Sequence, residues 1–140
     1  MLRSEQVTID CLQYCNWSPA IFDQMAQGGV DAVHVTICYH EDFGETVQNL
    51  ETWNRRFQDY SDRIVPGRVA EDVLTARAAG KTAIFFGFQN CSPIEDDVDR
   101  VKFATSWACD LCSCPTTINR YWLRVATRRK TPELRAWVAR

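Results

Sequence analysis

The chain has 140 residues, of which 46% are hydrophobic and 24% charged, a composition typical of a globular domain and not of a disordered segment. Its net charge of −2 conceals an abrupt change: residues 1–101 carry 8 Lys/Arg and 16 Asp/Glu, a net charge of −8, whereas residues 102–140 carry 8 Lys/Arg and 2 Asp/Glu, a net charge of +6. Because we find no run of about 18 apolar residues, we expect no membrane span. The start of the chain has no basic segment followed by an apolar one, so we expect a cytoplasmic protein whose seven cysteines are free thiols.

Strand and helix signals alternate from the beginning of the chain. Residues 7–12 form a short apolar run with β-branched side chains and are predicted to be a strand. A helix is predicted to begin at Ser18-Pro19, because Ser is a favourable N-cap and Pro suits the first helical position, and to end at Gly28-Gly29. Residues 30–39 are apolar almost throughout, which is typical of a strand buried on both faces of a parallel sheet.

The same alternation continues to about residue 101. A long helix is predicted over residues 45–60, with Val47, Leu50, Asn54 and Phe57 on one face and Trp53 beside them. After a break at Pro66-Gly67, a third helix is predicted from Ala70 to Gly80, a buried strand over residues 82–88, and a fourth helix from Ser92-Pro93. Such alternation predicts βαβ units and a parallel sheet, but periodicity leaves a doubly wound sheet and a barrel both open.

Four phrases carry a family resemblance: IDCLQYCNWSPAIFDQM, GGVDAVHVTICYHEDF, ARAAGKTAIFFGFQN and SPIEDD. In order and spacing they resemble the N-terminal part of the membrane dipeptidase family (renal dipeptidase-like, peptidase family M19), and they look closest to a divergent bacterial subgroup. The resemblance covers residues 7–101. It implies about three βα units of a (β/α)8 TIM barrel, from a metallopeptidase that hydrolyses dipeptides with two zinc ions at the C-terminal ends of its strands.

The zinc positions implied by this resemblance carry unsuitable residues. Leu12 and Tyr14 stand where the family has the His and Asp of its first strand, and Gln89 stands where it has Glu. Leu and Tyr are not ordinary zinc ligands, and a neutral amide does not balance two dications. We therefore expect zinc in the family but none in this chain, and a metallohydrolase by descent that is inactive as it stands. The alternative is a modified barrel that binds a ligand without catalysis.

The polar residues at the strand ends are the candidate site. On the resemblance, they would line the mouth of the barrel and hydrogen-bond a small dipeptide-like ligand; they are Gln13, Asn16, His40, Glu41, Gln89 and Asn90. His40 is the better catalytic candidate of the two histidines, although a loop histidine is more often solvated, and His34 is expected to be a core residue. No paired carboxylates and no nucleophile–base pair accompany them, so the catalytic residues stay undefined.

Residues 102–140 contain no glycine, no clear strand run and no sustained amphipathic period, and we expect no domain there. We interpret this poorly ordered, non-homologous tail as an out-of-frame translation. If the tail is reverse-translated, the last base of each codon can be read together with the first two bases of the next codon. From Val101 onward, the residues that this shifted frame permits include the run VRFMQL, which resembles the next buried strand of the family. One lost base near Val101-Lys102 would also explain the reversal of charge.

Two features of the tail have alternative interpretations. The thiols of Cys109-x-x-Cys112-x-Cys114 could hold zinc or an iron–sulfur cluster, but no His in this segment offers a fourth ligand. The basic residues 128–130 could contact nucleic acid, but no aromatic residues are interleaved with them. We favour out-of-frame coding for both and expect no nucleic-acid partner. Three βα units leave open sheet edges, so we expect the fragment to self-associate or aggregate.

Overall fold

The computed structural model describes residues 6–102 and 109–110. The chain is an α/β protein, as predicted. Its elements in chain order are β1 (Ile9–Gln13), α1 (Pro19–Gly28), β2 (Ala32–Cys38), α2 (Phe43–Asp59), β3 (Ile64–Pro66), α3 (Ala70–Ala78), β4 (Thr82–Phe88), a 3-10 turn (Ser92–Ile94) and β5 (Cys109–Asp110). Within the described residues, no helix is both long and apolar enough to cross a membrane.

All strand pairs in the described part of the sheet are parallel, in the order β1-β2-β4-β3, with β5 also beside β4. β3 pairs with the beginning of β4, where Ile64 faces Thr82, and β5 pairs with its end, where Phe86 faces Cys109. The strands β1, β2, β4 and β5 therefore lie side by side in chain order. The strands of a TIM barrel likewise follow one another in chain order.

Helices cover both faces of the sheet. On one face, α1 and α2 bury their apolar side chains against alternate residues of β2 and β4; the buried members of this core include Phe22, Met25, Val33, Val35, Ile37, Leu50, Trp53, Ile84 and Phe88. On the other face, α3 packs Val73 and Ala76 against Ala32 and Ala83.

The helix boundaries follow from local capping chemistry. Pro19 opens α1 after Ser18, and Gly29 closes it with φ +69°, a left-handed conformation that glycine adopts without strain. α2 begins at Phe43, two residues before the predicted start, because Asp42 and Glu45 form a capping box: the Asp42 carboxylate accepts the Glu45 N–H at 2.8 Å, and the Glu45 carboxylate accepts the Asp42 N–H at 3.1 Å.

Two predictions about elements were wrong, and two short strands were not predicted. The strand β3 was missed, since three residues are too short to give a pattern. The predicted fourth helix does not begin at Ser92. Ser92 begins a 3-10 turn, which ends at Ile94 before Glu95 takes a positive φ of 49°, and helical residues follow only from Arg100. Asn54 is exposed, and Thr46 lies on the buried face of α2 instead. A short strand, β5, occurs after residue 101, where it pairs with the end of β4 at Phe86 and Gly87. The remainder of the tail, with Cys112, Cys114 and the basic cluster, lies outside the described residues.

Candidate functional site

Because the strands are parallel, β1, β2 and β4 end at one edge of the sheet, and the six predicted site residues all lie on or just after these ends. The structure brings His40 and Asn90 together, with Asn90 Nδ2 3.4 Å from His40 Nδ1. It ties Gln89 to the same edge through its backbone N–H, which donates to the Cys38 carbonyl at 2.9 Å. Asn16 and Glu41 line a common cavity at this edge.

Asn90 is the centre of a hydrogen-bonded group in the site. Its Oδ1 accepts hydrogen bonds from the Ser92 backbone N–H at 2.7 Å and from the Ser92 hydroxyl at 2.6 Å. Its Nδ2 donates to the Tyr39 carbonyl and faces His40 Nδ1. With the amide oriented in this way, His40 Nδ1 is the acceptor, so a neutral His40 ring carries its proton on Nε2 and offers that N–H to a ligand.

Cys38 lies under this group. Its Sγ is 3.4 Å from the Ser92 hydroxyl and 3.6 Å from the Glu41 carbonyl oxygen. Burial raises the pKa of the Cys38 thiol, and hydrogen bonds from Ser92 and Thr46 reduce the effect without cancelling it. Cys38 is therefore a protonated packing residue near neutral pH and not an activated nucleophile.

Glu41 is engaged by its own loop. Its Oε2 accepts the backbone N–H groups of Tyr39 at 2.5 Å and of His40 at 2.9 Å. Burial raises the pKa of Glu41, but the backbone hydrogen bonds and the nearby His40 outweigh it, so that the pKa lies below its ordinary value. The carboxylate stays ionised and bound to the loop, which makes it a poor general base.

Gln13 and Tyr14 lie at the end of β1. The side chain of Gln13 is partly buried, and its Oε1 has no hydrogen-bond partner in the part of the chain that the structure describes. Tyr14 is 67% exposed and turns its ring towards Tyr39, with 6.1 Å between the ring centroids. An amide oxygen without a partner and two adjacent phenol rings are groups that can contact a ligand from this edge.

The zinc pair implied by the family resemblance does not fit these residues. Among the described residues, no three or more His, Cys, Asp and Glu side chains are grouped so that they could hold a metal ion. At the strand ends stand Tyr14 and Gln89, and the nearest carboxylate, Glu41, is already bonded to its own loop. His40, which faces Asn90, is one imidazole where a zinc centre needs several anionic or imidazole ligands.

A cavity of about 190 Å³ opens beside this edge, between the loop after β1, the end of β2 and residues 49–56 of α2. Its walls include the predicted residue Asn16 and two residues that sequence reasoning missed, Trp53 and Arg56. The Arg56 guanidinium lies 4.8 Å from the centre of the Trp53 ring. The signal available in the sequence was the spacing of polar residues along α2 at Asn49, Thr52 and Arg56, which places all three on one side of the helix.

Comparison with known proteins gives two informative structures. An amidohydrolase from Pseudomonas aeruginosa superposes with a TM-score of 0.68 at 30% sequence identity, over 76% of this chain and 34% of that one. The probable dipeptidase PvdM from Pseudomonas aeruginosa superposes with a TM-score of 0.55 at 14% identity, over 61% of this chain and 25% of that one. No family model and no curated protein matches the sequence.

This chain therefore spans about a third of the length of the first structure and a quarter of the second. The similarity supports a dipeptidase- and amidohydrolase-like fold, of which the described sheet is one part.

Proposed function

We propose that the chain descends from zinc-dependent dipeptidases of the membrane dipeptidase family, and that it represents the first βα units of such a barrel without their metal chemistry. The observation that carries the proposal is the parallel sheet with β1, β2 and β4 in chain order, superposed on the amidohydrolase at 30% identity. The four phrases that resemble the family, between residues 7 and 101, lie on those strands and the segments beside them.

The proposed loss of activity depends on the strand ends. Leu12, Tyr14 and Gln89 occupy the positions at which the family binds zinc, and none of the three is an ordinary zinc ligand. Without a bound metal there is no metal-held water to attack a peptide carbonyl, and neither Glu41 nor Cys38 is arranged to replace it.

The direct test measures zinc and activity together. We expect the purified 140-residue chain, incubated with zinc and desalted, to retain less than about one zinc per chain by elemental analysis and to leave alanyl-alanine intact. A matched variant with Leu12→His, Tyr14→Asp and Gln89→Glu restores the family's residues, and it should gain zinc relative to the natural chain. Two tightly bound zinc ions or dipeptide hydrolysis in the natural chain would contradict the proposed loss.

A second candidate function is ligand binding by the same edge. It is favoured by the Asn90 group, which holds the His40 ring with its Nε2–H available, and by the Gln13 amide oxygen that has no partner among the described residues. These groups could hydrogen-bond the amide and carboxylate of a dipeptide-like molecule without cleaving it. Titration of the chain with alanyl-alanine, followed by NMR of the His40 ring, tests this. Unchanged His40 signals at saturating dipeptide would reject it.

A further inference from the structure

Arg56 is a partly buried cation without a carboxylate partner. Three other arginines of the described chain have side chains no more than about a third exposed, and each lies against a carboxylate: Arg63 against Asp23 at 3.2 Å, Arg77 against Asp31 at 2.7 Å, and Arg100 against Glu95 at 2.6 Å. For Arg56, no carboxylate lies within 4 Å in the described residues, and its guanidinium lies instead over the face of the Trp53 ring.

The neighbouring arginine shows the ordinary alternative. Arg55 projects from the same turn of α2, is 68% exposed, and forms a solvent-exposed pair with Glu51 at 2.5 Å. Arg56 instead lies on the side of α2 that faces the cavity. Burial lowers the pKa of the Arg56 guanidinium, yet a guanidinium keeps its proton in proteins, so a charge is held partly out of water without an ionic partner.

The cavity beside Arg56 has the composition of a site for a small organic anion. Trp17 is a partly exposed apolar side chain of its lining, whereas Trp53 and Ile37 line it but are only 3% and 2% exposed. Asn16, Asn49 and Thr52 add polar groups. The Trp17 and Trp53 rings meet edge to face, with centroids 5.0 Å apart. At about 190 Å³ the cavity is smaller than the roughly 300–1,000 Å³ of pockets that hold drug-sized ligands, which limits the ligand to a small molecule.

Glu41 is the one carboxylate among the lining residues, and it is held by two backbone N–H groups of its own loop. The Cys15 thiol, which lies near Arg56, has its pKa raised by burial despite the attraction of that guanidinium, so it is neutral near pH 7. Arg56 is the one cation among the residues that line the cavity.

We propose that this cavity binds a small carboxylate with an apolar body, whose carboxylate pairs with the Arg56 fork while its body packs against Trp17. The planar guanidinium matches a carboxylate with two parallel hydrogen bonds, and its stacking on Trp53 holds the fork in place before the ligand arrives. The site shares Asn16 and Glu41 with the strand-end residues, but Arg56, Trp53 and Trp17 are not among those residues, and the proposed binding does not depend on zinc or on hydrolysis.

The experiment uses the full chain and three probes: benzoate, its neutral analogue benzyl alcohol, and inorganic phosphate, each titrated by calorimetry. We expect benzoate to bind at least about tenfold more tightly than either of the others, since a charge-assisted pair is worth at least one factor of ten. Equal binding of benzoate and benzyl alcohol would overturn the role of Arg56. Equal binding of phosphate would overturn the apolar part of the proposal, and absence of benzoate binding would overturn all of it.

Variants at Arg55 and Arg56 distinguish binding at the cavity from nonspecific attraction of benzoate to positive charge. Arg56→Gln should weaken benzoate binding about tenfold or more, while the matched Arg55→Gln, with the same charge change on the exposed side of α2, should leave it within about twofold. Arg56→Lys keeps the charge but loses the planar guanidinium, so its affinity for benzoate should lie between those of Arg55→Gln and Arg56→Gln. Circular dichroism confirms folding of each variant. Equal weakening by Arg55→Gln and Arg56→Gln would refute the proposed site, and the probe comparison on the natural chain decides the question if Arg56→Gln does not fold.

Discussion

The Arg77 guanidinium lies 2.7 Å from the Asp31 carboxylate, and the two side chains are 19% and 1% exposed. The same carboxylate oxygen accepts the Thr8 backbone N–H at 2.9 Å, and Arg77 also donates to the Gln6 carbonyl at 2.8 Å. The pair therefore joins α3, the start of β2 and the segment that leads into β1, at the end of the sheet opposite the candidate site.

Replacing Arg77 by Met should lower the free energy of unfolding by about 3–5 kcal/mol, because it removes the cation that faces a buried carboxylate. The matched control is Arg55→Met, which breaks an exposed pair with Glu51 and should cost less than about 1 kcal/mol. Urea unfolding followed by circular dichroism measures both. Similar losses for the two variants would show that the buried pair contributes no more than a surface pair.

Asn90 should be a stabilising residue as well as a site residue. Asn90→Leu keeps the size of the side chain but removes the acceptor of two Ser92 hydrogen bonds and the donor to the Tyr39 carbonyl, which should cost about 1–3 kcal/mol. The NMR signals of the His40 ring should shift with it, since Nδ1 loses its neighbour. Asn54→Leu, at an exposed position of α2, is the control and should change neither quantity.

The sequence predicted the elements whose signals are local. β4 has the predicted bounds, Thr82–Phe88, because its apolar run is uninterrupted, and α1 begins and ends at its Ser18-Pro19 and Gly29 signals. β3 and β5 were not predictable in this way, because three and two residues carry no period and are strands only through pairing with β4.

In the candidate site, the positions of residues at the strand ends were predictable, but their side-chain contacts were not. Parallel strands place their ends at one edge, so the position of His40 and Asn90 followed from the strands, but the orientation of the Asn90 amide depends on Ser92, two residues further along. Arg56 and Trp53 were missed because their site forms only where α2 meets the loop after β1, and that meeting depends on the packing of the helix and not on its own sequence.

The thiol of Cys38 predicts how stability changes with pH. Burial raises its folded-state pKa above the ordinary value of 9.0, so the folded chain keeps a proton that the unfolded chain releases. The contribution of the Cys38 thiol to the unfolding free energy is fully present below about pH 9, and it is lost as the pH rises through the folded-state pKa. Between pH 8 and pH 10, the unfolding free energy of the natural chain should therefore fall more steeply than that of Cys38→Ala. Cys11→Ala, at an exposed position, should follow the natural chain.

The outer edge of β1 should promote self-association. β1 pairs with β2 alone among the described strands, and Val7 and Ile9 are 42% and 55% exposed beside that edge. Ile9→Lys places a charge there and should reduce the associated fraction in sedimentation velocity. Leu74→Lys, which adds a charge to an equally exposed position of α3, is the control. A natural chain that stays monomeric at every concentration would contradict the prediction.

The junction near Val101 and Lys102 gives the last prediction. β5 lies at Cys109–Asp110, beside Phe86 and Gly87 of β4, which is where the next strand of a barrel belongs. The shifted reading frame places VRFMQL over these codons, an apolar run that suits a buried parallel strand better than the sequence as it stands. Resequencing the DNA across codons 95–110 should therefore find one missing base. An intact frame would contradict this, and zinc titration of Cys109, Cys112 and Cys114 would then decide whether their thiols form a metal site.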